Sequence, residues 1–392
     1  MTSILERAAP SAPALTVSDL SSRPRTGQSV EAIQFEVPQR TVTVLLGSPG
    51  SGKSALLRAI AGLDRAEQGT VEVASRDVTT LAPHRRCVGL VLQDPALFRD
   101  RSVADNIDFG LKVARWRSAE RTLRLADVMR VVGLSQRGDE RIEDLSAAEQ
   151  LNVAIARAIA TEPRVLLLDE PLAAIPPGDR ARERVALRQL LRRLQVAVVV
   201  ATSDVEDALA LATNLGVLVD GRLAEYGALR EVASRPATAE TARLLGYVTV
   251  LDGPLGGDRI NEVGVGAVAV PSGGRHAGHV EVFAHPGALL AVPPGLGLGI
   301  GVSGTVVASH PLGPLWHVEV ALGDRTPIAA RWEWDGEPPV SGATVELATP
   351  AAGLLFFSKQ PLVAGSGERP YLPPPAPRMD TRLREAALAE TG

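Results

Sequence analysis

The stretch from Val42 to Ser54, VTVLLGSPGSGKS, constrains the fold of this chain more than any other part of it. Its apolar opening reads as a buried strand, and Ala55 to Ala61 reads as a helix. Between them, Gly47 and Gly52 followed by Lys53 and Ser54 have the full spacing of a phosphate-binding loop. Glycine lets the backbone curl until successive N–H groups face one anion, and the new helix adds its positive N-terminal end. Gly47, Ser48, Pro49, Gly50, Ser51, Gly52, Lys53, Ser54 and Ala55 are therefore the candidate cradle for a nucleotide's phosphates. Lys53 would reach the β- and γ-phosphates, and the Ser54 hydroxyl would ligate Mg²⁺. A Gly/Ser turn that binds nothing is disfavoured by the legible strand and helix on either side.

A second feature places acids near this loop. The wholly apolar run Val165 to Leu168 ends in Asp169 and Glu170. Asp169 at a strand end can hold Mg²⁺, and Glu170 can orient or deprotonate an attacking water. Short apolar strands alternate with helical stretches from Val42 to Val219, which predicts a mostly parallel sheet covered on both faces. Expected strands are Leu15–Leu20, Val30–Val37, Gly69–Ala74, Val88–Leu92, Val196–Ala201 and Val217–Val219. Expected helices are Val103–Leu111, Ala119–Val132 and Arg180–Leu194. A further helix starts at Ser146, where Ser146 and Glu149 form a capping-box pattern.

After Gly246 helical periodicity fades. Short alternating runs appear at His279–Ala284, Gly304–Ala308, Leu315–Leu322 and Thr344–Ala348, which predicts a small β-barrel or sandwich. Residues 1–14 are expected to be loose, and residues 361–392 to form a Pro-rich linker and tail.

Composition narrows the function. The 392 residues carry a formal net charge of −4, so no basic field argues for nucleic acid. One cysteine, Cys87, excludes an intramolecular disulfide. Val282 to Val318 lacks Asp, Glu, Lys and Arg, but five prolines break it into strands and turns rather than a membrane span. The start of the chain shows neither the basic opening nor the long apolar core of a signal peptide. Any membrane role is expected through a partner.

Residues 15–246 resemble the ATP-binding cassette family, the nucleotide-binding subunits of ABC transporters. Beyond the phosphate loop, Val91 to Phe98 resembles the Q-loop region, in which Gln93 would touch Mg²⁺. Ser102 to Leu111 resembles the start of the helical subdomain, about residues 94–145. Leu145 to Gln150 stands at the signature position, Leu167 to Leu172 matches the Walker B strand, and Asp220 to Gly227 resembles the closing strand pair. The resemblance implies a P-loop NTPase cassette of α/β class that binds ATP and Mg²⁺. It implies Glu170 as the catalytic residue, Ser54, Gln93 and Asp169 at the metal, and Ser146 toward the nucleotide of an opposite subunit. Residues 247–360 resemble the TOBE-type, OB-like β-barrel extension of importer ATPases for sulfate, molybdate, polyamines, iron(III) and sugars. Implied partners are integral-membrane permease subunits, a second ABC subunit as homodimer or heterodimer, and indirectly an extracytoplasmic solute-binding protein. The implied location is cytoplasmic, peripheral on the inner face of the cell membrane. An ABC protein of DNA repair or translation would need a long coiled coil or a basic stripe, and neither is present.

The chain departs from the family at four places. Ala147 and Ala148 replace the two signature glycines, and their methyls would obstruct a close approach to phosphate. Ser203 follows Thr202 where the switch histidine is expected, and serine lacks the imidazole's reach. Ala174-Ile175-Pro176 replaces the usual end of the D-loop, removing a carboxylate and a backbone donor. No aromatic residue stands in Ser21–Ser29 to stack adenine, leaving Arg23 or Arg25 as substitutes. Two expectations follow: an importer ATPase with slow hydrolysis, or an ABC-like pseudo-ATPase that holds ATP as a regulatory or structural module.

Overall fold

The computed structural model describes residues 12–24, 27–269, 278–295, 300–312, 315–332, 337–349 and 353–359. The expected tail at 361–392 and most of the expected loose N-terminus lie outside these. By internal contacts the chain separates into two units, Met1–Ser234 and Arg235–Gly392.

The first unit contains β1 (Leu15–Ser22), β2 (Val30–Val37), β3 (Val42–Leu46), α1 (Lys53–Ala61), β4 (Ala66–Val73), β5 (Arg76–Asp77) and β6 (Val88–Val91). It continues with α2 (Val103–Val113), α3 (Ser118–Val131), α4 (Ala147–Ala160), β7 (Val165–Asp169), α5 (Pro177–Arg193) and β8 (Ala197–Thr202). It closes with α6 (Val205–Leu211), β9 (Asn214–Val219), β10 (Arg222–Ala228) and α7 (Leu229–Ser234). Six strands form one sheet in the order β10-β9-β3-β8-β7-β6. All its pairs are parallel except β10 with β9. Every residue of β3, β7 and β8 is buried, as an interior strand covered on both faces requires. A smaller antiparallel sheet, β2-β1-β4-β5, sends its alternate apolar residues into the same core as α1.

Helix α1 is only nine residues long and would not persist alone. Packing holds it: Leu56, Leu57 and Ile60 are fully buried, and each such side chain contributes roughly 1.5–3 kcal/mol. Helix α5 begins at Pro177, three residues before the expected Arg180, because a proline is well suited to the first helical position.

The second unit contains α8 (Ala239–Leu244), β11 (Val248–Gly256), β12 (Arg259–Glu262), β13 (Gly266–Ala269), β14 (His279–Ala284) and β15 (Leu290–Val292). It ends with β16 (Val302–Leu312), β17 (Leu315–Ala321), β18 (Ile328–Trp332), β19 (Thr344–Ala348) and β20 (Leu354–Ser358). Helix α8 belongs here, ahead of the Gly246 at which the sequence changes texture. Strand β16 pairs with both β17 and β19, so β16-β17-β18-β15-β19 returns to β16 and closes a five-stranded barrel. This is the small OB/TOBE-like barrel the sequence predicts. Its interior holds Val302, Val306, Val318, Val320, Ile328, Val345 and Leu347. β16 runs four residues past the expected Ala308 and accommodates Pro311 near the hairpin end, where a missing donor does least harm. No helix among the described residues is long and apolar enough to cross a membrane.

Candidate nucleotide-binding site

The loop between β3 and α1 closes at the carboxyl end of the parallel sheet, where open α/β sheets place their ligands. Gly47 donates to the Thr202 carbonyl (3.3 Å), which ties the loop to β8. A β-carbon at Gly47 would fall 2.5 Å from the Leu218 carbonyl oxygen and 2.4 Å from the Ser51 hydroxyl, so only glycine fits. Gly50 and Gly52 take φ of 84° and 100°, the left-handed region glycine enters without strain. Gly52 caps α1 and has no side chain to satisfy the helix's first amides. The first backward bond of α1 runs from Leu56 to the Gly52 carbonyl (2.9 Å), leaving the Lys53, Ser54 and Ala55 amides without an intrahelical acceptor. That is an anion site by construction.

The lysine is almost fully buried, at 5% exposure. Its ammonium donates to the Gly47 and Ser48 carbonyls (2.7 and 3.1 Å) and lies 3.5 Å from Glu170 Oε1. The Ser54 hydroxyl donates to Asp169 Oδ1 (3.0 Å), joining residues 115 positions apart. Burial pushes the Lys53 ammonium below its ordinary range against the pull of Glu170. Burial likewise pushes the Asp169 carboxyl up, against the Ser54 hydrogen bond. A phosphate at Lys53 and a divalent cation at Asp169 would each favour the charged form of its buried neighbour, so the residues fit Mg-nucleotide. Among the described residues no cluster of three or more His, Cys, Asp or Glu could hold a metal ion. The hydroxyl and carboxylate here are the hard oxygen donors that Mg²⁺ shares with substrate phosphates.

Glu170 sits just past β7 with φ of 45°, an uncommon conformation for a non-glycine residue and one that clusters at functional sites. Its amide donates to the Ala201 carbonyl (2.8 Å), and its Oε2 accepts from the Ser203 amide (3.1 Å). One carboxylate is thus held between the Lys53 ammonium and the Ser203 backbone. Gln93 lies exposed, two residues beyond β6, whose Val91 pairs with Leu168 of β7. This register brings it to the same sheet edge as the acids, with no hydrogen bond to them.

Ser146 stands apart from that constellation. Its hydroxyl caps α4 by accepting from the Glu149 amide (3.3 Å), while the Glu149 carboxylate accepts from the Ser146 amide (2.8 Å). Arg137 reaches the same carboxylate and also Glu140. Arg23, exposed, lies 3.5 Å from Glu67, and Arg25 falls outside the described residues.

A family model described as ABC transporter matches residues 30–173. The sulfate/thiosulfate import ATP-binding protein CysA of Mycobacterium tuberculosis is 39% identical over 242 residues, 62% of this chain and 69% of the relative. CysA of Nocardia farcinica is 34% identical over 330 residues, covering 84% of this chain and 97% of the relative. The Fe(3+) ions import ATP-binding protein FbpC of Streptomyces coelicolor is 40% identical over 286 residues, 72% and 82%. This chain belongs to the ABC transporter ATP-binding family. Its relatives place it on the importer side. The solved structure of cbiO1 from Clostridium perfringens, described as part of the ABC transporter complex cbiONQ, superposes with a TM-score of 0.50. It has 26% identity and covers 59% of this chain and 93% of that one.

Three arginines of this ABC chain carry no motif in the sequence: Arg86 and Arg157 bind distant backbone carbonyls, and Arg180 binds the Ile175 carbonyl and the Asp204 carboxylate. Arg86, 4% exposed, donates to the carbonyls of Ala59 and Ile60 at the far end of α1 (3.0 and 2.9 Å) and to those of Leu81 and Thr79. It anchors the helix whose other end carries Lys53. Arg157, on α4, donates to the Pro95 and Ala96 carbonyls (2.5 and 2.9 Å), fixing the segment that follows Gln93 to the helix that starts at Ser146. Arg180, on α5, lies beside the Pro176 turn. Only a buried arginine near an unpaired helix end offers any sequence signal for such roles.

Proposed function

We propose that this chain is the ATP-binding subunit of an ABC importer, coupling Mg-ATP binding and slow hydrolysis to solute movement through a separate membrane permease. The observation that carries the reading is the convergence of Lys53 and Ser54 with Asp169 and Glu170 at one sheet edge. The Gly47–Ala55 loop binds the phosphates through backbone amides and Lys53. Ser54, Asp169 and Gln93 would hold Mg²⁺, which when bound offsets phosphate charge and polarises the transferred group. Glu170, steadied by the Ser203 amide, accepts a proton from the attacking water. Its anchored carboxylate keeps one orientation, which is what general-base work requires.

The relatives' names support an importer partner, as does the multi-subunit complex that the cbiO1 structure names. The chain would act at the inner face of the cell membrane, with residues 15–246 as nucleotide domain, 247–360 as TOBE-like domain, and a second ABC subunit completing the site. Ser146 would then face the partner's nucleotide. The α4 cap leaves its hydroxyl engaged with Glu149, and with Ala147 and Ala148 beside it the trans contact is weak. No observation favours a module that holds ATP without turnover. Purify the chain with the membrane protein that co-purifies with it from its native host and follow phosphate release. Release should require Mg²⁺ and exceed that of a Lys53→Ala complex. Equal release from both complexes would contradict the proposal.

A further inference from the structure

The two loops that flank Glu170 have each lost a group: Pro176 replaces a D-loop carboxylate, and Ser203 replaces a histidine. One guanidinium touches both. Arg180 Nη2 donates to the Ile175 carbonyl (3.4 Å), immediately before Pro176. Its Nη1 lies 3.5 Å from Asp204 Oδ2, immediately after Ser203. The Arg180 Nε is buried with no acceptor among the described residues. A buried donor left unsatisfied is destabilising and calls for an explanation beyond stability.

Asp204 is a rigid target. Its Oδ1 caps α6 by accepting from the Asp207 amide (3.0 Å), and its own amide donates to the Thr202 hydroxyl (3.1 Å). Arg184 completes the anchorage of α6 on Asp207 and Glu206 (2.6 and 2.8 Å) and passes 3.7 Å from Asp204. Ser203 therefore sits between a fixed Thr202 and a fixed Asp204. Its amide has one described partner, Glu170 Oε2, so the pose of the Ser203 loop sets the pose of the general base.

We propose that Arg180 is a positioning residue: it locks the Pro176 turn to the Ser203–Asp204 loop and thereby holds the Ser203 amide on the Glu170 carboxylate. This goes beyond the proposed function and rests on it for the role of Glu170, while the geometric claim stands independently.

The test compares wild type with Arg180→Ala, Arg180→Lys and Arg182→Ala in the full chain. Arg182 is the control, since it is exposed and its partners among the described residues are Asp179 and Glu183. Amide hydrogen exchange in nucleotide-free protein should rise at least about five-fold at Ser203 in Arg180→Ala, with Val198, Val199 and Val200 of β8 unchanged. Turnover should fall about ten-fold while Mg-ATP affinity stays within about two-fold, the pattern of a lost transition-state interaction. Arg180→Lys should recover part of both, and Arg182→Ala should match wild type. Unchanged Ser203 exchange, or an equal rise across β8, would overturn the inference. Wild-type protein that binds no Mg-ATP would overturn the proposed function instead, and the exchange measurement would still decide the role of Arg180.

Discussion

The two halves of the candidate site are built differently. The phosphate loop and the end of β7 are joined across the chain: Ser54 to Asp169, Lys53 to Glu170, Gly47 to Thr202. The Ser146 helix start is satisfied within its own first turn, while the Pro176 turn is joined through Arg180 to Asp204. Ser146 and Glu149 cap each other, and Pro176 leads directly into α5 with Pro177 at its first position. Long-range bonds make the first half a preorganised anion site. The second half keeps a capped helix start at Ser146 and a proline turn ahead of α5.

The largest effect should come from the preorganised half. Glu170→Gln keeps the shape of the side chain but removes the carboxylate proposed as the base, so turnover should fall about 10²–10⁴-fold. ATP affinity should hold, as steady-state kinetics beside calorimetry can show. Loss of affinity as large as the loss of rate would mean that Glu170 shapes the cradle rather than the chemistry.

Gly47→Ala comes next. Its methyl meets a backbone carbonyl that cannot rotate away, which should destabilise the loop by about 1–3 kcal/mol and weaken ATP binding. Gly50→Ala is the contrast, because nothing lies within 4 Å of its β-carbon and only the positive φ is unfavourable. Denaturant melts of both variants would separate steric from conformational cost.

The positions that depart from the family pattern should respond in the opposite direction. Restoring Ala147→Gly, Ala148→Gly and Ser203→His together should raise turnover about ten-fold, short of the roughly 10²–10³ attributed to a single transition-state donor. Pro176 remains, so the gain stays modest. No gain would show that these substitutions are neutral for catalysis.

Ser146→Ala is the smallest, about 1 kcal/mol of lost helix capping. It also carries a pH signature. The Ser146 hydroxyl, with the Ser146 amide, holds the Glu149 carboxyl below its usual range, so this stability is present above the unfolded Glu range and fades as pH falls through the folded value. The destabilisation by Ser146→Ala should therefore shrink on acidification toward and below about pH 4. A difference between the melting temperatures of the two proteins that is independent of pH would dissociate Glu149 from the cap.

Legibility in the sequence followed the same division. Gly47, Gly52, Lys53 and Ser54 were readable because a curled anion cradle restricts each position to one or two residue types. The Ser146–Glu149 cap was readable because its partners lie three residues apart. Arg86 and Arg157 were not, since they bind carbonyls, which carry no side-chain signature, and Arg180 was not, since its carboxylate partner Asp204 is 24 positions away. The alternating strands leave barrel and sandwich open and the TOBE resemblance points to the barrel, whose closure depends on β16 pairing with β17 next to it and with β19, distant in sequence. Periodicity reports which face a residue takes, not which strand it meets. Strand β10 and helices α6 and α7 were short, and only the closing-strand resemblance at Asp220–Gly227 pointed to the first.

The central claim is that the Gly47–Ala55 loop is a Mg-ATP site completed by a buried lysine. Calorimetric titration of wild type and Lys53→Ala with Mg-ATP tests it most directly. A charge-assisted contact contributes about 1.5–3 kcal/mol, so the substitution should weaken binding roughly 10–150-fold while the fold is retained. Equal affinity in the two proteins, or a wild type that does not bind, would contradict the account.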